Sequence, residues 1–191
     1  DMKKSGSWGK EKTKIIGLSG PIGVGKDTLA EHLVTHYGFV QRGMADALKE
    51  EVLARFPRLL RVISDLEGLG RMSLESLLWQ MKPPGIRELL QEYGTEVRRG
   101  DNPYYWCDRW MEWWKKHEDA SVVIPDIRFQ NEQTMVHACG GIVIQIGRSG
   151  HGAPEGAHAS EAAPPLGDVM FFNNGTIKEL TEQFDKWLEI F

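Results

Sequence analysis

Cysteine is scarce in this 191-residue chain: there are two, Cys107 and Cys139, and they stand in no C-x-x-C spacing. A disulfide-stapled secreted scaffold is thereby excluded, and two free thiols in a reduced, cytoplasmic setting are expected. Long apolar runs are also missing. None approaches the roughly 18 residues of a membrane span, and no signal-peptide apolar core is present, so neither a membrane partner nor export is expected. Positive charge is not in surplus, with 23 Lys and Arg against 27 Asp and Glu and a net charge of −4. That balance argues against broad binding to a nucleic-acid backbone and leaves an anionic small molecule open as ligand. No internal repeat is visible.

What is present is a globular balance, 41% hydrophobic and 26% charged, on a length suited to one domain with an inserted lobe. The opening DMKKSGSWGKEKTK is polar and unpatterned, and residues 1–13 are expected to be a disordered or appended tail. From there apolar runs closed by turn signals alternate with helical periodicity, which predicts an α/β fold with a parallel sheet flanked by helices. Strands are predicted at Lys14 to Ser19, Phe39 to Arg42, Ser121 to Asp126, Ile142 to Ile146 and Val169 to Phe172. Helices are predicted at Lys26 to Tyr37, Ala45 to Phe56, Ser73 to Met81, Gly85 to Val97, Pro103 to His117 and Phe129 to Ala138. A last helix starts at Thr176, where Thr176 and Glu179 make a capping box. Consecutive helices over about 45–117 form a lobe beside the sheet, and the long Gly/Ala/Pro/His loop over about 148–165 reads as a lid. Trp106, Trp110, Trp113 and Trp114 recur at helical spacing and read as core. The abundance of tryptophan also hints at an exposed apolar face on which two chains could pair.

Ligands of open parallel sheets bind beyond the carboxyl ends of the strands, so the residues after each strand carry the functional reading. After the first comes GLSGPIGVGKDTLAEHL, whose Gly20, Gly23, Val24 and Gly25 let backbone N–H groups curl round a phosphate while Lys26 reaches its outer oxygens. After the third comes Asp126-Ile-Arg128, with Asn131 and Glu132 close behind. Asp126 suits Mg²⁺, held directly or through water, a substrate group, or the cap of a helix; Arg128 suits phosphate oxygens. Arg148 opens the lid loop, and Asn173, Asn174 and Gly175 either border a base or form the turn before the last helix.

Asp27 narrows the class. Switch GTPases and many motor ATPases need a hydroxyl directly after the lysine as a Mg²⁺ ligand, and here it arrives one place later, as Thr28. Small nucleotide kinases carry the later threonine, and a carboxylate at a helix start is favoured by the dipole. The blocks GLSGPIGVGKDTLAEHL, IRELLQEYGTE, NPYYWCDRW, VVIPDIRFQNE, GGIVIQIGR, HASEA and FFNNGTIKEL together resemble bacteriophage deoxynucleoside monophosphate kinases from Lys14 onward. The resemblance implies a P-loop kinase fold, ATP as donor, Mg²⁺ as cofactor and a deoxynucleotide as acceptor. It places Arg87, Gly94, Thr95, Trp106, Asp126, Arg128 and Glu132 around the acceptor, with the metal held by Asp27, Thr28 or Asp126.

The residues agree with such a reaction. An acceptor that is already an ionised phosphate needs two anions screened and aligned rather than a general base, so arginines are expected near the cleft. Arg42, Arg87, Arg98, Arg99, Arg128 and Arg148 are the candidates, with Asp46 and Lys49 placed to touch the acceptor. A hydroxyl acceptor would instead want a carboxylate base, which Asp27, Asp46 or Asp126 could supply. Metabolite kinases for dephospho-coenzyme A or phosphomevalonate therefore remain an alternative, as does a nucleotide-binding regulator without turnover. His32 and His36, four apart on the first helix, lack the companions a zinc site needs. His158, Ser160 and Glu161 are read either as a family block or as a polar loop fixing its own fold.

Overall fold

The computed structural model describes residues 14–150 and 165–190. Five strands form one parallel sheet in the order β2-β3-β1-β4-β5. They are β1 (Ile15–Ser19), β2 (Val40–Gln41), β3 (Val122–Ile124), β4 (Ile142–Gly147) and β5 (Val169–Phe172). Strands covered on both faces read as continuous apolar runs, and all five residues of β1 are buried.

The pleat sends alternate residues to opposite faces and so builds two cores. Ile15, Val122, Ile124 and Val143 join the core under the helical lobe, while Ile16, Leu18, Val123, Ile144 and Ile146 join the other. The second core is closed by helix α1 (Lys26–Tyr37) and the last helix α8 (Ile177–Leu188) through Leu29, Leu33, Leu180 and Phe184. Thr176 caps α8, its hydroxyl accepting from Glu179 N–H at 3.2 Å while the Glu179 carboxylate reaches back to Thr176 N–H at 2.7 Å.

The lobe contains α2 (Met44–Arg55), α3 (Pro57–Leu66), α4 (Leu74–Ser76), α5 (Pro84–Gln91) and α6 (Tyr105–Trp114), and α7 (Gln130–Ala138) follows β3. Both α4 and α5 continue into wider π-helical turns, Leu77–Met81 and Glu92–Arg99. The patterning did not predict α3. Pro57 opens it at the position where a missing N–H costs nothing, directly after Phe56 closes α2. Leu60 and Ser64 are buried and Ile63 packs partly buried against the core, while Leu59, Val62 and Leu66 are exposed, so more than half of its large apolar side chains do not mark the core side. β3 stops at Ile124 rather than Asp126, because Asp126 leaves the ladder for α2.

Trp106, Trp110 and Trp114 are buried in the lobe core, with the Trp110 and Trp114 rings stacked at 5.9 Å. Among the described residues no tryptophan is exposed, so their abundance marks packing rather than a bare face. Nor is any described helix long and apolar enough to cross a membrane. Burial makes the value of α3 measurable: Leu60→Ala should lower unfolding free energy by about 2–5 kcal/mol in urea titration, whereas Leu66→Ala, on a side chain 83% exposed, should change it by less than about 0.5 kcal/mol.

Candidate active site

The loop between β1 and α1 curls because three glycines take backbone angles closed to other residues: φ is 130° at Gly20, 78° at Gly23 and 108° at Gly25. Space forbids a side chain as well, since a Cβ on Gly20 would lie 2.2 Å from the Ile146 carbonyl oxygen. Helix α1 starts at Lys26 with no side chain capping its first turn, which leaves those N–H groups to the loop's concavity. A pocket of about 170 Å³ is lined by Gly23, Gly25, Lys26, Asp27 and Thr28. The Lys26 ammonium bridges the loop, donating to the Gly20 and Pro21 carbonyls at 2.8 and 2.6 Å.

The loop is braced from the far end of the sheet. Asn173, buried just beyond β5, donates from Nδ2 to the Val24 carbonyl at 2.8 Å. Next to it, the Asn174 Oδ1 accepts from Ser149 N–H at 2.8 Å, so the tips of β4 and β5 are tied together beside the loop. A Cβ on Gly175 would meet the Glu179 carboxylate at 2.0 Å, so a side chain there would have to displace the carboxylate that caps α8. Arg148 is exposed at the end of β4. Residues 151–164, with most of the expected lid and His158, Ser160 and Glu161, lie outside the described residues, as do residues 1–13.

One strand away, Asp126 accepts from Met44 N–H at 2.7 Å and Ala45 N–H at 2.9 Å, one bond to each carboxylate oxygen. It caps α2 across the chain, a position where a negative charge meets the positive end of the helix. A Cβ on Gly43 would lie 3.0 Å from that carboxylate, so the residue before α2 has to be small. The Gly43 N–H is taken by Asp46 at 2.7 Å, and Asp46 also holds the Lys49 ammonium at 3.0 Å. Arg42 forks onto Glu50 at 2.5 and 2.9 Å and lies over the Trp113 ring.

Glu132 is buried, and both its oxygens are engaged: one accepts from the backbone N–H of Arg128 and Phe129 at 2.7 and 3.1 Å, and the other pairs with Arg99. Burial pushes its carboxyl up from the usual range, against the pull of Arg99 and the two amides. Its geometric effect is to fix the backbone that carries Arg128, which is half-buried. Trp106 is likewise buried, and its Nε1–H donates to the Gly94 carbonyl at 2.9 Å. Gly94 packs so closely on Leu48 that a Cβ would sit 2.7 Å away, and Thr95 beside it is half-buried. Arg87 is exposed, its Nε–H donating to the Lys82 carbonyl at 2.7 Å.

Thus Asp27 of the loop, Asp126, Lys49 and Arg87 all lie within electrostatic range of Lys82, whereas Arg98 and Arg99 pair with Glu51 and Glu132. Sequence places Asn173 among three turn or base-bordering residues and gives no sign of Lys82. Nothing in a one-dimensional pattern distinguishes a lysine between a π-helical turn and two prolines from a surface lysine. His32 hydrogen-bonds Asp185 at 2.6 Å, and no group of three His, Cys, Asp or Glu able to hold a metal occurs among the described residues. Asp27 and Asp126 are oxygen donors of the kind Mg²⁺ takes one or two at a time alongside substrate phosphates.

A family model described as deoxynucleotide monophosphate kinase matches residues 70–184. The chain belongs to the deoxynucleotide monophosphate kinase family. It is 31% identical, over 88% of its own length and 93% of the relative's, to a protein of Acanthamoeba polyphaga mimivirus provisionally named a deoxynucleotide monophosphate kinase. It is also 26% identical to the deoxynucleotide monophosphate kinase of Enterobacteria phage T4, over 55% of this chain and 46% of that one. A dephospho-CoA kinase from Campylobacter jejuni superposes with a TM-score of 0.45 at 13% identity over 92% of this chain and 95% of that one, too distant to carry an argument.

The cap at Asp126 makes this family member's lobe sensitive to one atom. Asp126→Asn puts an amide donor against a helix N–H, and the unfolding free energy should fall by about 1–3 kcal/mol. A pH effect should arise in the lobe at Glu51, which accepts from the Tyr93 and Tyr105 hydroxyls at 2.6 and 2.7 Å and pairs with Arg98. Burial alone would raise its pKa, but these donors outweigh burial and hold it below the ordinary 4.5. A depressed carboxyl stabilises the fold above its unfolded-state pKa and loses that effect as pH falls through the folded one. The urea midpoint of wild type should therefore drop more steeply than that of Glu51→Gln as pH is lowered beneath 4.5.

Proposed function

We propose that this kinase transfers the γ-phosphoryl group of MgATP to a deoxynucleoside monophosphate, giving the diphosphate, in the cytoplasm. The observation that carries the reading is adjacency. The phosphate loop and Asp126-Ile-Arg128 follow β1 and β3, which are hydrogen-bonded neighbours. Neighbouring strands lie about 4.8 Å apart, so a phosphate on the loop and another gripped beyond β3 are within reach of reaction without a long domain movement. Family membership supports the acceptor class, and the two relatives' names support a deoxynucleotide.

In this reading Lys26 and the loop amides hold the donor phosphates, Arg128 and Arg87 clamp the acceptor phosphate, and Arg148 approaches from the tip of β4. Thr95 reaches the acceptor from the turn that Trp106 fixes through Gly94, and Glu132 acts by holding the Arg128 backbone rather than by touching the nucleotide. Asp126 keeps the lobe against the sheet, Arg42 steadies the joint through Glu50, and Asn174 with Gly175 shapes the border of the donor base. Asp27 and Thr28, in the loop pocket, would hold Mg²⁺ through water, with Asp126 as the second carboxylate. Bound there, the metal supplies neutralisation of charge on the β- and γ-phosphates. No side chain has to take a proton from the acceptor, because its attacking oxygen is already anionic.

A coupled assay offering MgATP with deoxy- and ribonucleoside monophosphates, dephospho-coenzyme A and phosphomevalonate should show transfer to deoxynucleotides. Transfer only to the last two compounds, or MgATP binding without transfer, would overturn the reading. Lys26→Ala and Arg128→Ala should each lower kcat/KM by about 10² to 10⁵; a variant that keeps half its activity removes that residue from the mechanism.

A further inference from the structure

Among the described residues, Lys82 is the only one other than glycine with a positive φ, at 46°. It ends the π-helical turn Leu77–Met81, its N–H bonded to the Leu77 carbonyl, and it precedes Pro83 and Pro84. The left-handed region is costly for a lysine and natural for glycine or asparagine, so a lysine kept there needs a reason in its side chain. That side chain lies within electrostatic range of both halves of the site. Its charge feels Asp27 at the head of α1 and Asp126 beyond β3, and on its other sides Lys49 and Arg87.

Its surroundings lack one thing. The other cations around it are engaged: Lys49 with Asp46 and over the Trp79 ring at 5.5 Å, Arg42 with Glu50, Lys26 with the loop carbonyls, Arg87 with the Lys82 carbonyl. The Lys82 ammonium has no hydrogen bond or ion pair with any described residue, although the residue is half-buried. Burial, helped by Lys49 and Arg87, pulls its pKa below the ordinary 10.5 against the opposing pull of Asp27 and Asp126, neither of which is close enough to pair with it.

We propose that Lys82 is a catalytic residue whose ammonium contacts the phosphoryl oxygens as they pass from donor to acceptor. The inference rests on the phosphoryl-transfer reading above. In the step, an acceptor phosphate oxygen forms a bond to the γ-phosphorus as the bond from that phosphorus to the bridging oxygen breaks, and the electron pair leaves on ADP. Negative charge crowds between the two nucleotides and no proton moves, so a fixed cation reaching that gap lowers the barrier directly.

The backbone supplies the control. Lys82→Gly removes the charge and relaxes the left-handed angle, and Lys82→Asn does the same with a residue that also tolerates it. Both should melt no lower than wild type and bind MgATP in calorimetry with unchanged affinity, while kcat falls about 10² to 10³-fold, the effect of losing one charge-stabilising donor. Lys82→Arg should recover part of the loss. A folded Gly or Asn variant with wild-type kcat overturns the role of Lys82 and leaves the kinase reading intact. A wild-type protein that transfers to no deoxynucleotide sinks that reading, and the role of Lys82 with it.

Discussion

The carboxylate of Asp126, bonded to the first two N–H groups of α2, is the joint on which the site depends. A parallel sheet ends in a row of strand tips, and the lobe that must face them leaves β2 through Arg42 and Gly43 and returns to β3 through residues 115–121, links that do not by themselves fix how α2 is turned. One short side chain removes that freedom by turning the start of α2 toward the tip of β3, with Gly43 kept bare to allow the approach. From α2 the constraint passes outward. Asp46 and Lys49 follow on the same helix, Leu48 fixes how near Gly94 can come, and Trp110 donates back to the Arg42 carbonyl at 3.1 Å.

The arginines divide accordingly. Arg98 neutralises partly buried Glu51 and Arg99 neutralises buried Glu132, and removing Arg99 would strand the Glu132 charge away from water. Arg87 and Arg148 are exposed and Arg128 is half-buried, so their guanidinium groups are nearer to solvent. The division follows from burial, since a planar guanidinium with fixed donors suits internal carboxylates as well as it suits phosphate.

Sequence made the sheet legible because a strand buried on both faces is a continuous apolar run, and KIIGLS, SVVIPD and IVIQI are such runs. The cradle was legible because its angles demand glycine at fixed places. Less could be read where a residue's role is set across space. Asp126 at a strand tip fits a metal, a substrate or a cap, and only the position of α2 shows it capping. Trp106 and Glu132 come with the acceptor block through resemblance, yet both are buried and engaged with protein groups. Helix α3 escaped notice because more than half its large apolar letters face water, and Lys82 because a backbone angle leaves no mark in composition.

The bond from Asn173 to the Val24 carbonyl joins positions 149 apart along the chain. A growing polypeptide makes the glycine-rich bend well before the asparagine that steadies it. Competence for nucleotide capture should consequently wait until β5 and the residues after it have been made, and a nascent fragment holding β1 and α1 intact would still lack it.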